Sequence, residues 1–341
     1  MMARTEAQIV ESWLHTESPL VSVICITYNH EPYIADAIES FLKQKTTFPF
    51  EIIIHDDAST DKTSEIVKSY TEKYPRIIKP IFQKENQSSQ FKKNVLLPII
   101  LTAVSYARGK FIAYCDGDDY WTDENKLEIQ IAVMQKNPNC DMSFHPVFRK
   151  SSDRKKRNRI IAKHSSQNKI FFTKQLVLGA AQFCPTTSFI FKSNIFKSIP
   201  QWLFDAPCTD YFLQILASLR GGAIYISRVM AVYRAFSLGS WSGRMTKEEN
   251  LVNDYFVGML QSLKDINLHT AYQYDKEIAI ITKKLCFYMC INPTLSLKRR
   301  KKIFSENKKL LNISRRILWF LLFNNTKLPR FFFNAKNYIF H

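Results

Sequence analysis

The sequence lacks the features of membrane-spanning, secreted and disulfide-bonded proteins. No stretch of its 341 residues reaches the ~18 apolar residues of a membrane span. Residues 1–19 carry Glu6 and Glu11 and have no apolar core, so they do not resemble a signal peptide. The seven cysteines are odd in number and spread through apolar runs, and only Cys286 and Cys290 lie close together. We expect a cytoplasmic protein with reduced, buried thiols and no structural zinc site.

The sequence also lacks glycine-rich phosphate-binding motifs and internal repeats. Neither GxGxxG nor GxxxxGK[ST] occurs, so a bound nucleotide would need another means of neutralising its phosphates. Disorder is excluded, because hydrophobic residues make up 46% and aromatic residues 13% of the chain, enough to bury a core. The length fits one large domain with an appendage.

Acidic residues are few compared with basic ones. The chain has 48 basic and 30 acidic residues, a formal charge of +18. Residues 298–341 contain twelve basic residues against Glu306, and residues 149–174 contain ten against Asp153. The positive charge is therefore concentrated in two segments. It indicates an anionic partner, which could be nucleic acid, a nucleotide or acidic lipid headgroups.

Short β-branched runs alternate with helical patterns up to about residue 120. The run VSVICI at 21–26 suits a strand buried on both faces, and EIIIHDD and KFIAYC are further strands separated by helical segments. This alternation predicts an α/β fold with a mostly parallel sheet flanked by helices. We expect residues 149–169 to form an exposed basic loop and residues 246–292 to be helical.

Acidic residues cluster where two of the predicted strands end. Asp56 and Asp57 close the second strand, and Asp116-Gly117-Asp118-Asp119 follows the fourth. Ligands bind at the carboxyl ends of strands in open α/β sheets, because loops and helix N-termini converge there. Carboxylates two residues apart are suited to Mg²⁺ or Mn²⁺, which can bridge a diphosphate. The alternative is a solvated turn or a helix cap, a role that would suit Asp56.

Five segments lie in a characteristic order between about residues 19 and 245. They are VSVICITYNHEPYIADAIESFLKQ, FEIIIHDDASTDKT, ARGKFIAYCDGDDYWTDENKL, CTDYFLQI and VMAVYR. Together they resemble the inverting family 2 glycosyltransferases of the GT-A fold, and most of all the bacterial enzymes that build surface polysaccharides and O-antigen. The resemblance implies a GT-A domain at 1–245, with a nucleotide-binding half at about 19–125 and an acceptor half at about 126–245.

The resemblance also implies roles for residues of the donor site. Thr27 and Tyr28 would lie beside the base of a nucleotide-sugar, and Asp57 would hydrogen-bond the uracil of UDP. Asp116 would face the ribose, or the metal through water. Asp118 would ligate the Mn²⁺ or Mg²⁺ that spans the diphosphate. Close relatives often have glutamate at the position of Asp116, which is a conservative difference.

The acceptor side of the resemblance rests on Asp210, which matches the general base at the start of a helix. Read without the family, Asp210 is an acid favoured by the helix dipole. Relatives commonly have an acid or glycine at the position of Thr209 and histidine at that of Phe236. Without that histidine, Arg234 or the loop containing Trp241 is left to bind the diphosphate. Arg234 could instead be a surface cation at the edge of a strand.

The chemistry of such a transfer needs few groups. One carboxylate deprotonates the acceptor hydroxyl as it attacks the anomeric carbon, and a cation stabilises the departing nucleotide. The sequence therefore predicts a metal-dependent inverting hexosyltransferase that uses a nucleotide-sugar, with UDP weakly favoured by Asp57, and a glycan hydroxyl as acceptor.

Residues 246–297 would form a helical segment and residues 298–341 a basic tail. Five consecutive cations at 298–302 precede an apolar segment of about fourteen residues that includes Trp319. Such a tail suits attachment to an anionic membrane surface at the inner face of the cell membrane. A lipid-diphosphate-linked acceptor in bacterial polysaccharide synthesis would fit this location. The alternative is a helix docked on the protein's own core.

Two other functions remain possible from the residues alone. A nucleic-acid-binding protein would share the basic charge, but its base-stacking aromatic residues are missing, because the aromatic residues sit in apolar runs. The acidic cluster would also repel a phosphate backbone, so we expect no nucleic-acid partner. A metal-dependent nucleotidyltransferase would need a glycine-rich motif near the first strand, where TYNHEP stands.

Overall fold

The structure, a computed structural model, describes residues 4–15, 18–87, 96–152, 157–181, 183–237 and 241–323, except for the side chains of 241, 242 and 321–323. Its first part alternates strands and helices as the sequence predicts. In chain order the elements are α1 (Glu6–Val10), β1 (Val21–Thr27), α2 (Ile34–Leu42), β2 (Phe50–Asp56), α3 (Thr63–Lys73), β3 (Ile78–Phe82), α4 (Leu97–Ser105), β4 (Phe111–Tyr114) and β5 (Tyr120–Trp121).

The middle of the chain has shorter strands, with 3₁₀ turns between some of them. The elements are α5 (Lys126–Lys136), β6 (Met142–Phe144), β7 (Val147–Ser151), β8 (Arg159–Ile161), β9 (Lys169–Phe171), α6 (Thr173–Gly179), β10 (Ile190–Lys192), α7 (Thr209–Ser218), β11 (Ala223–Tyr225) and β12 (Ala231–Ala235). The 3₁₀ turns cover Thr186–Ser188, Ser193–Ser198 and Gln201–Asp205.

In the described part of the chain, eight strands form the large sheet, in the order β3-β2-β1-β4-β10-β6-β11-β9. The four strands from β3 to β4 are parallel to one another, while β10 is antiparallel to both β4 and β6. Strand β1 is buried on both faces, because Val23 and Cys25 enter one hydrophobic cluster whereas Ile24 and Ile26 enter the other. The predicted α/β fold with a mostly parallel sheet is confirmed.

A second, four-stranded sheet has the order β5-β12-β7-β8. It corrects the expectation of a loop at 149–169, since β7 and β8 pair antiparallel there, with Val147 opposite Ile161 and Phe148 opposite Ile160. These paired residues are apolar and favour a strand, but the many charged residues around them hide this pattern in the sequence. Residues 153–156, in the middle of the basic block, lie outside the described residues.

The C-terminal part is helical, as expected, and it belongs to the same hydrophobic cluster as one face of the large sheet. The cluster contains residues of the large sheet and residues of the C-terminal helices, including the last helix. The C-terminal helices therefore share a hydrophobic core with the strands. The elements are α8 (Trp241–Arg244), α9 (Glu249–His269), α10 (Asp275–Ile291), α11 (Leu297–Asn307) and α12 (Ile313–Phe323), with a 3₁₀ turn at Lys308–Leu310.

The tail helices carry a correction to the sequence analysis. Trp319 was predicted to lie in a segment exposed for membrane contact, but its side chain is only 6% exposed and stacks on Phe304 with ring centroids 3.8 Å apart. Leu311 is buried as well. One face of α12 is therefore docked on the protein, and residues 324–341 lie outside the described part of the chain.

All seven cysteines are unpaired, and six of them are buried. The burial of these six agrees with the expectation of buried thiols, and Cys208 is the partly exposed exception. None of the helices described in the structure combines the length and apolar character needed to cross a membrane.

Candidate active site

The carboxyl ends of β1, β2 and β4 meet at one edge of the large sheet. The Asp57 amide donates to the Thr27 carbonyl at 3.0 Å, and the Gly117 amide donates to the Ile26 carbonyl at 2.9 Å. A Cβ at position 117 would lie 2.8 Å from the Thr27 Cβ and Oγ1, so only glycine allows this approach. The predicted acids of two strand ends are thus brought beside the end of the first strand.

The two acids at the end of β2 have different surroundings. Asp56 accepts hydrogen bonds from the hydroxyls of Ser59 and Ser64, which lie before and within the first turn of α3. This supports the alternative of a structural cap for Asp56. Asp57 accepts the Gln87 amide at 2.8 Å, and its carbonyl accepts the Asn86 side chain at 3.1 Å. Asp57 therefore lies against the segment that follows β3.

Two predicted base-site residues flank this edge. Thr27 is buried, and its hydroxyl has no hydrogen-bond partner among the described residues. Tyr28 follows it and is 40% exposed, so its ring is accessible to a ligand. Trp241, also predicted to bind the donor, begins α8, but its side chain lies outside the described residues.

Three carboxylates share the turn after β4. Asp116 accepts the Tyr114 hydroxyl at 2.8 Å, yet desolvation, followed by the charge of Asp118, raises the pKa of Asp116 to about 7. Asp119 is fully buried, and burial together with the neighbouring charges of Asp118 and Asp116 raises its pKa well above the usual range. Its Oδ2 has no hydrogen-bond partner among the described residues. The turn concentrates negative charge that a cation would relieve.

The second sheet holds this turn in place. The Arg234 amide, on β12, donates to Asp119 Oδ1 at 2.7 Å, and its guanidinium donates to the Asp118 carbonyl at 2.8 Å and pairs with Asp36. The Ser237 hydroxyl donates to Asp118 Oδ2 at 2.7 Å. Arg234 is therefore not a free surface cation, which was the alternative from the sequence, because only 11% of its side chain is exposed.

Sequence reasoning missed the supporting residues Asp119, Ser237 and Asp36. Asp119 belongs to the acidic motif, but the sequence gives no reason to assign it a role different from that of Asp118. Ser237 and Asp36 gave no signal, because each lies far along the chain from the residue it contacts: Ser237 is 119 residues from Asp118, and Asp36 is 198 residues from Arg234.

Asp210 lies in the first turn of α7. Its carboxylate accepts the Cys208 thiol at 3.1 Å, the Tyr211 amide at 2.9 Å and the Thr186 hydroxyl at 3.4 Å. Burial raises the pKa of Asp210, and the three hydrogen bonds oppose this effect only in part. The group is thus a carboxylate with increased basicity, as a proton acceptor requires.

One cavity of about 340 Å³ brings the two groups together, because Asp116 and Asp210 both line it. It lies among α4, β4, β10 and α7, with Tyr233 of β12 and Tyr255 of α9 completing the wall. This volume is within the ~300–1,000 Å³ range typical of small-molecule sites. We name it the Asp210 cavity.

The residues of the acidic turn fit a divalent cation of the Mg²⁺ or Mn²⁺ type. Among the described residues, no group of three or more histidine, cysteine, aspartate or glutamate side chains could surround a metal. Asp116 and Asp118 nevertheless provide hard oxygen ligands on one turn, and the same turn contains Asp119 Oδ2, which has no partner among the described residues. Such cations are commonly held by one or two carboxylates together with substrate phosphates. The donor set thus suits a metal that arrives with a diphosphate.

Comparisons with known proteins identify relatives of this chain. An uncharacterized protein of Mycobacterium tuberculosis is 32% identical over 253 residues, which cover 72% of this chain and 67% of the relative. The Escherichia coli enzyme UDP-Glc:alpha-D-GlcNAc-diphosphoundecaprenol beta-1,3-glucosyltransferase is 36% identical over 118 residues, covering 35% of this chain and 42% of that enzyme. The second match thus spans less than half of the relative.

The fold is also found in a solved glycosyltransferase structure. The mannosyltransferase PcManGT from Pyrobaculum calidifontis, solved with GDP-Man and Mn²⁺, superposes with a TM-score of 0.54 over 95% of this chain and 86% of that chain, at 17% identity. The family model for glycosyl transferase family 2 matches residues 22–199, which include the strand ends and the acidic turn. With its GT-A fold and a match over more than half of its length, this chain belongs to glycosyl transferase family 2.

Proposed function

We propose that this glycosyltransferase moves a hexosyl group from a UDP-sugar to a hydroxyl acceptor, with inversion and with the help of Mn²⁺ or Mg²⁺. The observation that carries the proposal is the Asp210 cavity, whose lining includes both the basic Asp210 carboxylate and the Asp116 carboxylate. A donor diphosphate at the acidic turn would place its anomeric carbon toward the cavity that Asp210 lines.

In the proposed reaction Asp210 accepts the proton of the acceptor hydroxyl. The acceptor oxygen forms a bond to the anomeric carbon, and the bond from that carbon to the β-phosphate oxygen breaks, with its electron pair leaving on UDP. Attack from the face opposite the leaving group inverts the anomeric configuration. The bound cation supplies neutralisation of the charge that develops on the diphosphate. The Cys208 and Thr186 bonds orient the Asp210 carboxylate.

The proposed donor residues are those that the family resemblance implies, and their places at the strand ends support them. Thr27, Tyr28 and Asp57 would hold the base, and Asp118 with Asp116 would bind the metal. Arg234 would act on the diphosphate mainly by fixing the Asp118 turn, because its guanidinium is already hydrogen-bonded within the chain. Trp241 remains a candidate contact to the donor.

A panel of nucleotide-sugars tests the choice of donor. With Mn²⁺ present, we expect UDP-sugars to raise the melting temperature more than GDP- or dTDP-sugars, because bound ligand stabilises the folded state. Asp57→Ala should weaken UDP binding about tenfold or more, the effect of losing a ~1.5–3 kcal/mol hydrogen bond to a charged group. Gln87→Ala is the control, since it keeps the backbone amide that Asp57 accepts. Equal stabilisation by all nucleotides would contradict the UDP assignment.

We further propose a lipid-diphosphate-linked saccharide acceptor in bacterial surface polysaccharide synthesis, including the O-antigen type. The E. coli relative supports this, since its name specifies a diphosphoundecaprenol acceptor. In the same proposal, residues 1–245 form the GT-A domain, with halves at about 19–125 and 126–245. Residues 246–297 form a helical segment and residues 298–341 the basic tail.

The tail would attach the enzyme to the inner face of the membrane through the exposed side of α12, which the buried Trp319 does not share. Ile313, Ile317 and Phe320 are 73%, 56% and 56% exposed, and their spacing places them on one side of the helix. Exposed cations of α11, Lys298 and Lys302 among them, would attract anionic headgroups while this apolar face enters the headgroup region.

Vesicle binding tests the α12 face. Deleting residues 298–341 is unsuitable as a test, because it would also remove buried side chains such as Trp319. Each such side chain contributes roughly 1.5–3 kcal/mol to folding, so the deletion would destabilise the protein itself. Ile317→Glu should instead release the protein from vesicles of phosphatidylcholine and phosphatidylglycerol in a sedimentation assay, with an unchanged melting temperature. Leu268→Glu, at an exposed apolar site of α9, should bind as the unmodified chain does. Retained binding of Ile317→Glu would refute the anchor.

A further inference from the structure

The Asp210 cavity has a wall whose chemistry differs from that of a sugar-binding site. Away from the two acids its lining is largely hydrocarbon and includes Ile100 of α4, Ile112 of β4 and the aromatic rings of Phe189 and Phe191 around β10. These four side chains are at most 5% exposed. The cavity therefore continues from the reacting carboxylates into the hydrophobic interior.

Several polar groups of the wall are already engaged by the acids. The Thr186 hydroxyl and the Cys208 thiol donate to Asp210, and the Tyr114 hydroxyl donates to Asp116. A hydroxyl-rich sugar ring placed against the hydrocarbon wall would leave its own hydroxyls without partners, and each such group costs about 1–3 kcal/mol. An apolar group would gain from leaving water at the same place.

We infer that the Asp210 cavity is an acceptor subsite for an apolar group, an alkyl chain or an aryl ring carried close to the attacking hydroxyl. The inference rests on the proposed function, since it assigns the hydroxyl to Asp210. It deepens that function by naming a feature of the acceptor: on a lipid-diphosphate-linked saccharide, the apolar group would be carried by the sugar that bears the attacking hydroxyl, because the lipid itself lies beyond the diphosphate. The apolar group would position the hydroxyl between Asp210 and the donor.

A series of simple alcohols tests the subsite directly by calorimetric titration of the full chain. From n-butanol to n-octanol, affinity should rise about fourfold per methylene, the factor that corresponds to ~0.8 kcal/mol per buried CH₂. It should then level off, because the cavity has a finite volume of about 340 Å³. Methyl glucoside should bind much more weakly than n-octanol. Comparing 4-phenylbutanol with alkanols of similar size decides between an aryl and an alkyl group.

Two tryptophan substitutions on the same helix form a matched pair of variants, and only one of them fills the cavity. Ile100→Trp should abolish alcohol binding by occupying the space, whereas Leu101→Trp, on the same helix at a partly buried position outside the cavity lining, should retain it. Affinity that is independent of chain length, stronger binding of methyl glucoside, or equal loss in both variants would overturn the inference. Should the alkanol series itself fail, no variant is needed to reject the subsite.

The titration of UDP with Mn²⁺ on the same samples keeps the two proposals apart. Ile100→Trp should bind UDP normally, because Ile100 is not among the residues placed at the donor. Absence of UDP binding in the unmodified chain would refute the proposed function. Normal UDP binding combined with no response to alcohol length would refute the apolar subsite alone.

Discussion

Replacing Asp210 with asparagine is expected to lower kcat by roughly two or more orders of magnitude, with donor affinity nearly unchanged. Asparagine keeps the size of the side chain and can still accept the Tyr211 amide, but it cannot take the proton of the acceptor. Steady-state kinetics with varied UDP-sugar and UDP titration measure the two effects separately. Collapse of donor affinity with a normal residual kcat would make Asp210 a binding residue.

The pH profile gives an independent readout of the same group. A base must be deprotonated to act, so activity should fall as the pH drops through the pKa of Asp210. Because burial raises that pKa, the acid limb should lie above the usual carboxylate range. Cys208→Ala removes a donor that lowers the pKa, and it should therefore move the acid limb to still higher pH. An unchanged limb in Cys208→Ala would argue against titration of Asp210.

Replacing Asp118 with alanine is expected to abolish transfer and the metal-dependent part of UDP binding. Asp118 supplies a carboxylate to the acidic turn, and without it the diphosphate would lack the cation that offsets its charge. Calorimetry of UDP with and without Mn²⁺ measures the loss, and circular dichroism checks that the fold is intact.

A matched control separates the Asp118 charge from its hydrogen bond. Ser237→Ala removes the hydroxyl that donates to Asp118 Oδ2 but leaves the carboxylate, so it should reduce UDP binding far less than Asp118→Ala. Full activity of Asp118→Ala, or turnover that is unaffected by EDTA, would show that this carboxylate holds no catalytic metal.

Much of the fold and part of the site could be predicted from the sequence because they depend on local patterns. The β-branched run of β1 indicated a strand buried on both faces, and the acids after β2 and β4 were expected to meet because parallel strands end at the same edge. The segment at 149–169 was mispredicted because its charge conceals the apolar residues that pair β7 with β8.

The sequence by itself thus determined the alternation of strands and helices, the acidic strand ends and the family pattern, because neighbouring residues carry that information. Only the tertiary structure decided that Asp210 shares a cavity with Asp116 and that Arg234 supports the Asp118 turn from more than 100 residues away. It also decided the orientation of α12, since an apolar helix has the same composition whether it faces lipid or protein. The stacking of Trp319 on Phe304 of the preceding helix is a property of packing, which the apolar composition of the segment does not encode.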